Sequence, residues 1–257
     1  KGNDTFNIAH STSEFSYFQI DGAGGQDIIN LIGGGSGFLR LNIGRDQDVN
    51  ADLGAGVITG SGGSSYALFL SGDTSQTRFE LSTLNGNDTV VGSNNRDRFI
   101  LGPGTDSADG LGEYDIIRYD RTEIVQGVTV NLATGIATGD WGGQPFTHTL
   151  SNIEEVRGSS SGDSMVASDS GSQLVGNNGN DTLLGGDGLD RLFGGAGDDL
   201  LDASGGAIDP QGWGDYVRPG LGTDIVLGQL SLFEAGDSTD LSYSDIDDPD
   251  GVVITVG

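Results

Sequence analysis

A nine-residue repeat runs through the sequence and limits what the chain can fold into. From Gly158 the residues divide into GSSSGDSMV, ASDSGSQLV, GNNGNDTLL, GGDGLDRLF and GGAGDDLLD, and from Thr83 into TLNGNDTVV, GSNNRDRFI, LGPGTDSAD and GLGEYDIIR. Place six of each unit is aspartate, except at Ser172, and place eight is apolar. Six turn-forming residues followed by three strand-forming residues predict a tight loop and a very short strand in every unit.

The repeat length also predicts how the units pack. Side chains alternate across a strand, so only place eight should face a core. Two units then form one rung of a flattened coil, and loops eighteen residues apart become neighbours along one edge. The sequence therefore predicts an all-β fold, a parallel β-roll or β-solenoid. The segments 48–60 and 127–139 echo each other with longer apolar and polar alternation, which predicts wider β-helix-like rungs that interrupt the roll.

Composition indicates that the chain needs a source of cohesion besides its core. Only 34% of the residues are apolar, 47 are glycine and none is cysteine, which excludes disulfides. The formal net charge is −27, from 38 acidic and 11 basic residues. Such a charge opposes compaction unless cations bind, and it excludes nucleic acid and anionic lipid as partners. No apolar stretch is long enough to predict a membrane span.

Stacked aspartates supply the site for such cations. Rungs lie about 4.8 Å apart, so neighbouring carboxylates would repel by roughly 3 kcal/mol at an effective dielectric constant of about 20. Calcium takes six to eight oxygen ligands, and glycine-rich loops expose backbone carbonyl groups without side-chain obstruction. The loops are therefore predicted to bind several Ca²⁺ ions, and the apolar residues at place eight to form a thin core.

The units GGDGLDRLF and GGAGDDLLD closely resemble GGxGxDxUx, where U is a large apolar residue, the repeat of the RTX (hemolysin-type calcium-binding) family. The resemblance implies a parallel β-roll in which the place-six aspartate and the loop carbonyl groups near places one and three bind calcium. The ligands it implies for the second run are Asp163 with Gly158 and Ser160, Asp181 with Gly176 and Asn178, Asp190 with Gly185 and Asp187, and Asp199 with Gly194 and Ala196.

The two edges of the second run are predicted to differ. One edge stacks Asp163, Asp181 and Asp199 and should hold two complete sites, whereas the other stacks Ser172, Asp190 and Ile208 and should be defective, with Asp190 and Asp187 in a weaker or water-completed site. In the first run Asp88 is expected beside Asp106, and Asp97 beside Asp115. Partial repeats add Asp27, Asp215 and Asp224 as further metal ligands.

Four segments are expected along the chain. Residues 1–82 should form an N-terminal solenoid segment with partial repeats, and 83–157 an RTX-like run with longer strands. Residues 158–208 should form the RTX β-roll. Residues 209–257 should hold degenerate repeats and the start of a further unit, because 236–256 echoes 112–132.

Catalysis is not predicted. Neither His10 nor His148 begins an HExxH zinc motif, and the serines of GSSSGD lie in a flexible loop without a nearby histidine in sequence. Trp141 and Trp213 lie in glycine-rich loops, where they either stack on sugar or, as the more ordinary alternative, cap the thin core.

The predicted function is that of a calcium-binding structural repeat region of a large secreted bacterial protein. The RTX resemblance implies type I secretion and folding on extracellular calcium, with a location outside the cell or on its surface. An adhesin or surface array is the favoured setting, with neighbouring copies or cell-surface polysaccharide as partners. The alternative is a C-terminal calcium-binding and secretion module of an extracellular enzyme such as a protease, lipase or alginate epimerase.

Overall fold

A computed structural model describes residues 2–9, 16–21, 26–32, 37–42, 48–61, 65–71, 77–205, 214–228, 240–241 and 252–256. Within these ranges every regular element is a strand and none is a helix, so the prediction of an all-β fold is confirmed. Among the same residues, no helix has the length and apolar character needed to cross a membrane.

The strands are short and follow one another closely. In chain order they are β1 (Thr5–Ala9), β2 (Ser16–Asp21), β3 (Gln26–Ile32), β4 (Gly37–Asn42), β5 (Val49–Asp52), β6 (Val57–Gly60), β7 (Ser65–Ser71), β8 (Thr77–Ser82), β9 (Thr89–Val91), β10 (Arg98–Ile100), β11 (Thr105–Asp109), β12 (Ile116–Arg118), β13 (Thr129–Asn131), β14 (Ile136–Trp141), β15 (Gln144–Ser151), β16 (Glu155–Arg157), β17 (Ser164–Val166), β18 (Gln173–Asn178), β19 (Thr182–Leu184), β20 (Arg191–Ala196), β21 (Leu200–Ala203), β22 (Tyr216–Leu221), β23 (Asp224–Gly228), β24 (Asp240–Leu241) and β25 (Val252–Val256).

Backbone contacts divide the chain into two units. Unit 1 comprises residues 1–117 and 144–153, and unit 2 comprises residues 118–143 and 154–257. In unit 1 one sheet has the order β1-β3-β7-β6-β5-β9-β11-β15 and the other the order β2-β4-β8-β10-β12. In unit 2 the two sheets are β14-β13-β17-β19-β21-β23-β25 and β16-β18-β20-β22-β24. The four-segment division expected from the sequence stays a prediction.

The register of the strands follows the repeat. Met165 pairs with Leu183 and Leu183 with Leu201, each eighteen residues on, and the strands are parallel. The place-eight side chains are between 0% and 2% exposed, namely Val90, Phe99, Ala108, Ile117, Met165, Leu174, Leu183, Leu192 and Leu201. The predicted thin core is therefore present. Ile100 and Ile116, at places nine and seven, are also buried and widen the core of unit 1.

The wider rungs take the form of antiparallel hairpins. Strand β5 pairs with β6 in unit 1, and β13 pairs with β14 in unit 2. The turns of the two hairpins contain the same hydrogen bond, three residues apart in sequence. Asp52 Oδ1 accepts from Ala55 N at 2.7 Å, and Asn131 Oδ1 accepts from Thr134 N at 2.9 Å. Gly56 and Gly135 each adopt a φ near +70° in these turns. The echo between 48–60 and 127–139 thus marks one motif used in both units.

One predicted neighbour is wrong. The sequence register placed Ile208 beyond Asp190, but β20 pairs with β22, and Asp190 N donates to Asp215 Oδ1 at 2.8 Å across 25 residues. On the other edge Asp199 N donates to Asp224 Oδ1 at 2.9 Å, also across 25 residues. This rung is therefore longer than its neighbours. Ile208 and Trp213 lie outside the described residues.

Candidate metal centre

The place-six side chains form files along the edges of unit 2. The first edge carries Asp163, Asp181, Asp199 and Asp224, and the second edge carries Ser172, Asp190 and Asp215. Each carboxylate accepts a hydrogen bond from the rung before it: Asp181 Oδ1 accepts from Asp163 N at 2.7 Å, and Asp199 Oδ1 accepts from Asp181 N at 2.8 Å. One oxygen of each side chain is thereby fixed by backbone from a neighbouring rung.

Unit 1 repeats this arrangement over fewer rungs. Asp88 N donates to Asp106 Oδ1 at 2.8 Å, and Asp97 N donates to Asp115 Oδ1 at 2.7 Å. The expected pairs of aspartates are therefore neighbours. Asp27 is buried and accepts from Asp4 N at 3.0 Å.

A second row of side chains, at place five, joins neighbouring loops by hydrogen bonds. Asn180 Oδ1, at place five, accepts from Asp198 N at 3.0 Å, and Asp198 Oδ1 accepts from Thr223 N at 2.9 Å. These bonds point toward the following rung, whereas the place-six bonds point toward the preceding one. Each loop of this edge is thus held from both sides, which fixes the spacing of the buried carboxylates.

Burial makes these carboxylates unusual acids. Asp181 and Asp199 are 1% and 2% exposed. Burial, with added repulsion from neighbouring aspartates, raises the pKa of each of these carboxyl groups to about 7. Burial also raises the pKa of Asp88 and of Asp97 to about 6, and the pKa values of Asp163 and Asp190 lie above their usual range for the same reason. The fold therefore favours a positive partner beside them.

The second oxygen of Asp181 and of Asp199 has no such partner among the described residues. Asp181 Oδ2 and Asp199 Oδ2 are buried and make no hydrogen bond. A side chain on Gly176 would overlap with Asp181 Oδ2 and with the carbonyl oxygen of Gly194 in the next rung. A side chain on Gly194 would likewise overlap with Asp199 Oδ2 and with the carbonyl oxygen of Pro219. Each glycine at place one therefore lies where a carboxylate oxygen and a carbonyl oxygen from adjacent rungs converge.

This donor set fits calcium. The two nearest atoms at each position are a carboxylate oxygen and a carbonyl oxygen, and hard cations such as Ca²⁺ prefer both as ligands. In the described ranges, no three His, Asp or Glu side chains gather at one point suited to a metal ion. A calcium ion there would take its further ligands from backbone carbonyl groups, as the resemblance to the RTX repeat implies.

Backbone conformation distinguishes two kinds of loop, and loop 101–106 belongs to neither. In the first kind, places two and four both have positive φ, as at Asn177 (80°) with Gly179 (112°) and at Gly195 (119°) with Gly197 (136°). The loops 83–88, 110–115, 176–181, 194–199 and 219–224 belong to it. In the second kind, place two is not left-handed, and its N–H donates to the place-six Oδ2 of the same loop. This bond runs from Ser93 to Asp97 at 2.6 Å, from Ser159 to Asp163 at 2.7 Å and from Gly186 to Asp190 at 2.7 Å.

The second kind of loop is capped by its own donors. Asp163 Oδ1 also accepts from Val128 N at 2.7 Å and from Ser159 Oγ at 2.8 Å, and Asp190 Oδ1 accepts from Ser172 N at 2.6 Å. These carboxylates are thus partly satisfied without a cation. The expectation of two sites on the first edge stays a prediction, and the geometry favours Asp181 and Asp199 over Asp163 as their carboxylates.

The remaining predicted ligands lie in these loops with different surroundings. Gly158, Ser160, Gly185 and Asp187 fall in loops of the second kind, and the side chain of Asp187 is exposed. Asn178 and Ala196 pair with each other where β18 and β20 run into the loops. Asp215 and Asp224 are buried at the longer rung.

Sequence reasoning missed several residues of these edges. The carbonyl oxygens of Pro219 and Asn152 lie beside Gly194 and Gly110, at positions that the repeat alone did not reveal. His148 occupies place six of a unit, GQPFTHTLS, with Gly143 at place one and Leu150 at place eight. The apolar residue two positions after His148, Leu150, was the available signal.

The raised pKa values predict an unusual pH dependence for the chain without calcium. The folded pKa of Asp181 and of Asp199 is about 7, against about 4 when unfolded, so the folded state binds more protons between these limits. Stability is therefore expected to fall as pH rises from about 5 to about 8. Far-UV circular dichroism in EDTA at both pH values checks this, with more β-sheet signal expected at the lower pH, and the double substitution Asp181→Asn with Asp199→Asn should flatten the difference. A β-sheet signal that rises with pH would contradict it.

Comparison with known families agrees with this geometry. A family model described as the RTX calcium-binding nonapeptide repeat matches the chain in 4 copies, over residues 82–117 and 175–207. No curated protein matches the chain.

Proposed function

We propose that the chain is a structural module whose rungs are held together by calcium. The premise is that it carries RTX calcium-binding nonapeptide repeats over residues 82–117 and 175–207. One observation supports this most directly. Asp181 Oδ2 and Asp199 Oδ2 are buried acceptors without a hydrogen-bond donor, each beside a carbonyl oxygen from the next rung. A buried polar atom left unmatched costs about 1–3 kcal/mol, and more for a charged group, so a cation there stabilises the fold.

The proposal assigns calcium to loops of the first kind. In unit 2 the ions lie beside Gly176, with Asp181 and the Gly194 carbonyl group, and beside Gly194, with Asp199 and the Pro219 carbonyl group. In unit 1 the space beside Gly110 is bordered by Asp115 Oδ2 and the Asn152 carbonyl oxygen. Loops capped by their own amides, including that of Asp190, bind calcium more weakly. Bound calcium would neutralise the carboxylates, and the chain itself supplies their orientation.

The wider setting of the module is also a proposal. A charge of −27 favours an extended chain where calcium is scarce and a folded one where it is abundant. This supports export of the unfolded chain by a type I apparatus and folding outside the cell. We favour a role in an adhesin or surface array, with neighbouring copies or surface polysaccharide as partners. The module has no chemistry of its own in this proposal. A calcium-binding part of an extracellular enzyme is the second candidate, favoured by the same repeats.

A single substitution tests the assignment of the sites. Asp181→Asn keeps the size of the side chain but places an amide where the proposal puts a calcium ligand. Isothermal titration of the full chain with calcium should then show about one ion fewer per chain. Asp169→Asn is the matched control, because Asp169 is exposed in a loop of the second edge, away from Asp181, and the variant loses the same charge. Equal stoichiometry in both variants would reject the site at Asp181.

A further inference from the structure

His148 lies in the calcium-binding file of unit 1 at the position where the next aspartate would stand. Strands β11 and β15 pair so that Asp106 faces His148, and Ala108 faces Leu150. The residue is fully buried, and its ring stacks on Phe146 with centroids 4.4 Å apart. Packing of this kind holds the imidazole ring in one orientation within the rung.

The ring makes two polar contacts that matter for metal binding. His148 Nε2 lies 3.0 Å from Asp106 Oδ2 and 3.0 Å from the carbonyl oxygen of Gly102. Both oxygens are acceptors, so Nε2 carries the hydrogen, and its hydrogen bond goes to the Gly102 carbonyl oxygen. Asp106 Oδ2 accepts no hydrogen bond, like the second oxygens of Asp181 and Asp199 in unit 2, but the imidazole nitrogen lies directly beside it. The imidazole ring thus takes a position beside Asp106 Oδ2 that the proposal gives to an ion in the other unit.

Place one of the same loop differs as well. Where loops 176–181 and 194–199 begin with glycine, loop 101–106 begins with Leu101, whose side chain is fully buried. Loop 101–106 and the next rung therefore have leucine and histidine where Gly176 and Asp199 stand in unit 2. Calcium also prefers oxygen to imidazole nitrogen as a ligand.

We propose that His148, together with Leu101, ends the calcium file of unit 1, with the imidazole ring standing where an ion would bridge the rung of Asp106 and the rung of His148. This inference rests on the proposed calcium-binding function and adds to it a rule for where the file stops. The rung that contains β15 is then joined to β11 by side chains and backbone, without an ion between them.

Reopening the site is the direct test. The double variant Leu101→Gly with His148→Asp restores glycine at place one and aspartate in the following rung, as at Gly176 and Asp199. Calcium stoichiometry of the full chain, measured by titration calorimetry and native mass spectrometry, should rise by one ion relative to Leu101→Gly alone. Thr147→Asp adds the same charge on the exposed neighbouring residue and should leave the count unchanged. A folded double variant with an unchanged count overturns the inference.

A second measurement on the unmodified chain decides the matter if the double variant does not fold. The Nε2–H signal of His148 in ¹H–¹⁵N spectra, distinguished from that of His10 by a His10→Gln variant, should persist and exchange slowly at saturating calcium. Its loss on calcium addition overturns the inference while calcium binding elsewhere stands. A chain that binds no calcium at all overturns the proposed function instead.

Discussion

Removal of calcium with EDTA at pH 7.5 is expected to abolish most of the β-sheet circular dichroism of this chain. Each nonapeptide buries only one or two apolar side chains, and the net charge of −27 opposes compaction. Each site filled at a free calcium concentration 100-fold above its Kd stabilises the fold by about 2.7 kcal/mol. Three such sites supply about 8 kcal/mol, which is comparable with the whole stability of a typical domain, about 5–15 kcal/mol.

Ionic screening and specific binding are separated by matched salts. Sodium chloride at the ionic strength of the calcium buffer screens repulsion between exposed charges but does not replace calcium beside the buried carboxylates. Magnesium prefers a smaller, octahedral site and retains its water, so it should restore less structure than calcium at equal concentration. A full sheet spectrum in EDTA, or equal recovery with sodium alone, would contradict the proposal.

The register of the rungs was predictable because it depends on a period. A strand buries alternate side chains, so the place-eight residues from Val90 to Leu201 had one way to share a core. Asp181 and Asp199 then had to lie on one edge. The longer rung escaped prediction, since the residues between β21 and β22 break the period and the pairing of Asp190 with Asp215 depends on tertiary contacts.

The two kinds of loop were only partly predictable. Glycine or asparagine at place two, as at Gly195 and Asn177, tolerates positive φ and agrees with loops of the first kind. The residue type at place two does not decide the kind of loop, however, because Leu111 adopts a φ of 73° and Gly186 does not adopt a left-handed conformation. The stacked neighbours of a loop therefore select its backbone conformation, and with it whether an amide or a cation satisfies the aspartate.

The substitution Gly194→Ala is expected to have the largest effect of any single change to this edge. A Cβ there would overlap with Asp199 Oδ2 and the Pro219 carbonyl oxygen, and the Gly194 carbonyl group itself borders the space beside Gly176. Overpacking costs about 1–3 kcal/mol, and the loss of one filled site about 2.7 kcal/mol more. The expected result is a fall of roughly 10 °C in the Tm measured in saturating calcium, with at least one ion fewer in the titration.

Gly112→Ala separates this effect from the general cost of replacing a loop glycine. Gly112 lies at place three of a repeat loop with nothing within 4 Å of an added Cβ, and its φ is not left-handed. It should therefore keep both its Tm and its calcium stoichiometry. Since the two variants add the same methyl group, a difference between them measures what the space beside place one contributes. A Gly194→Ala chain that melts and binds calcium like Gly112→Ala would show that this space holds no ion.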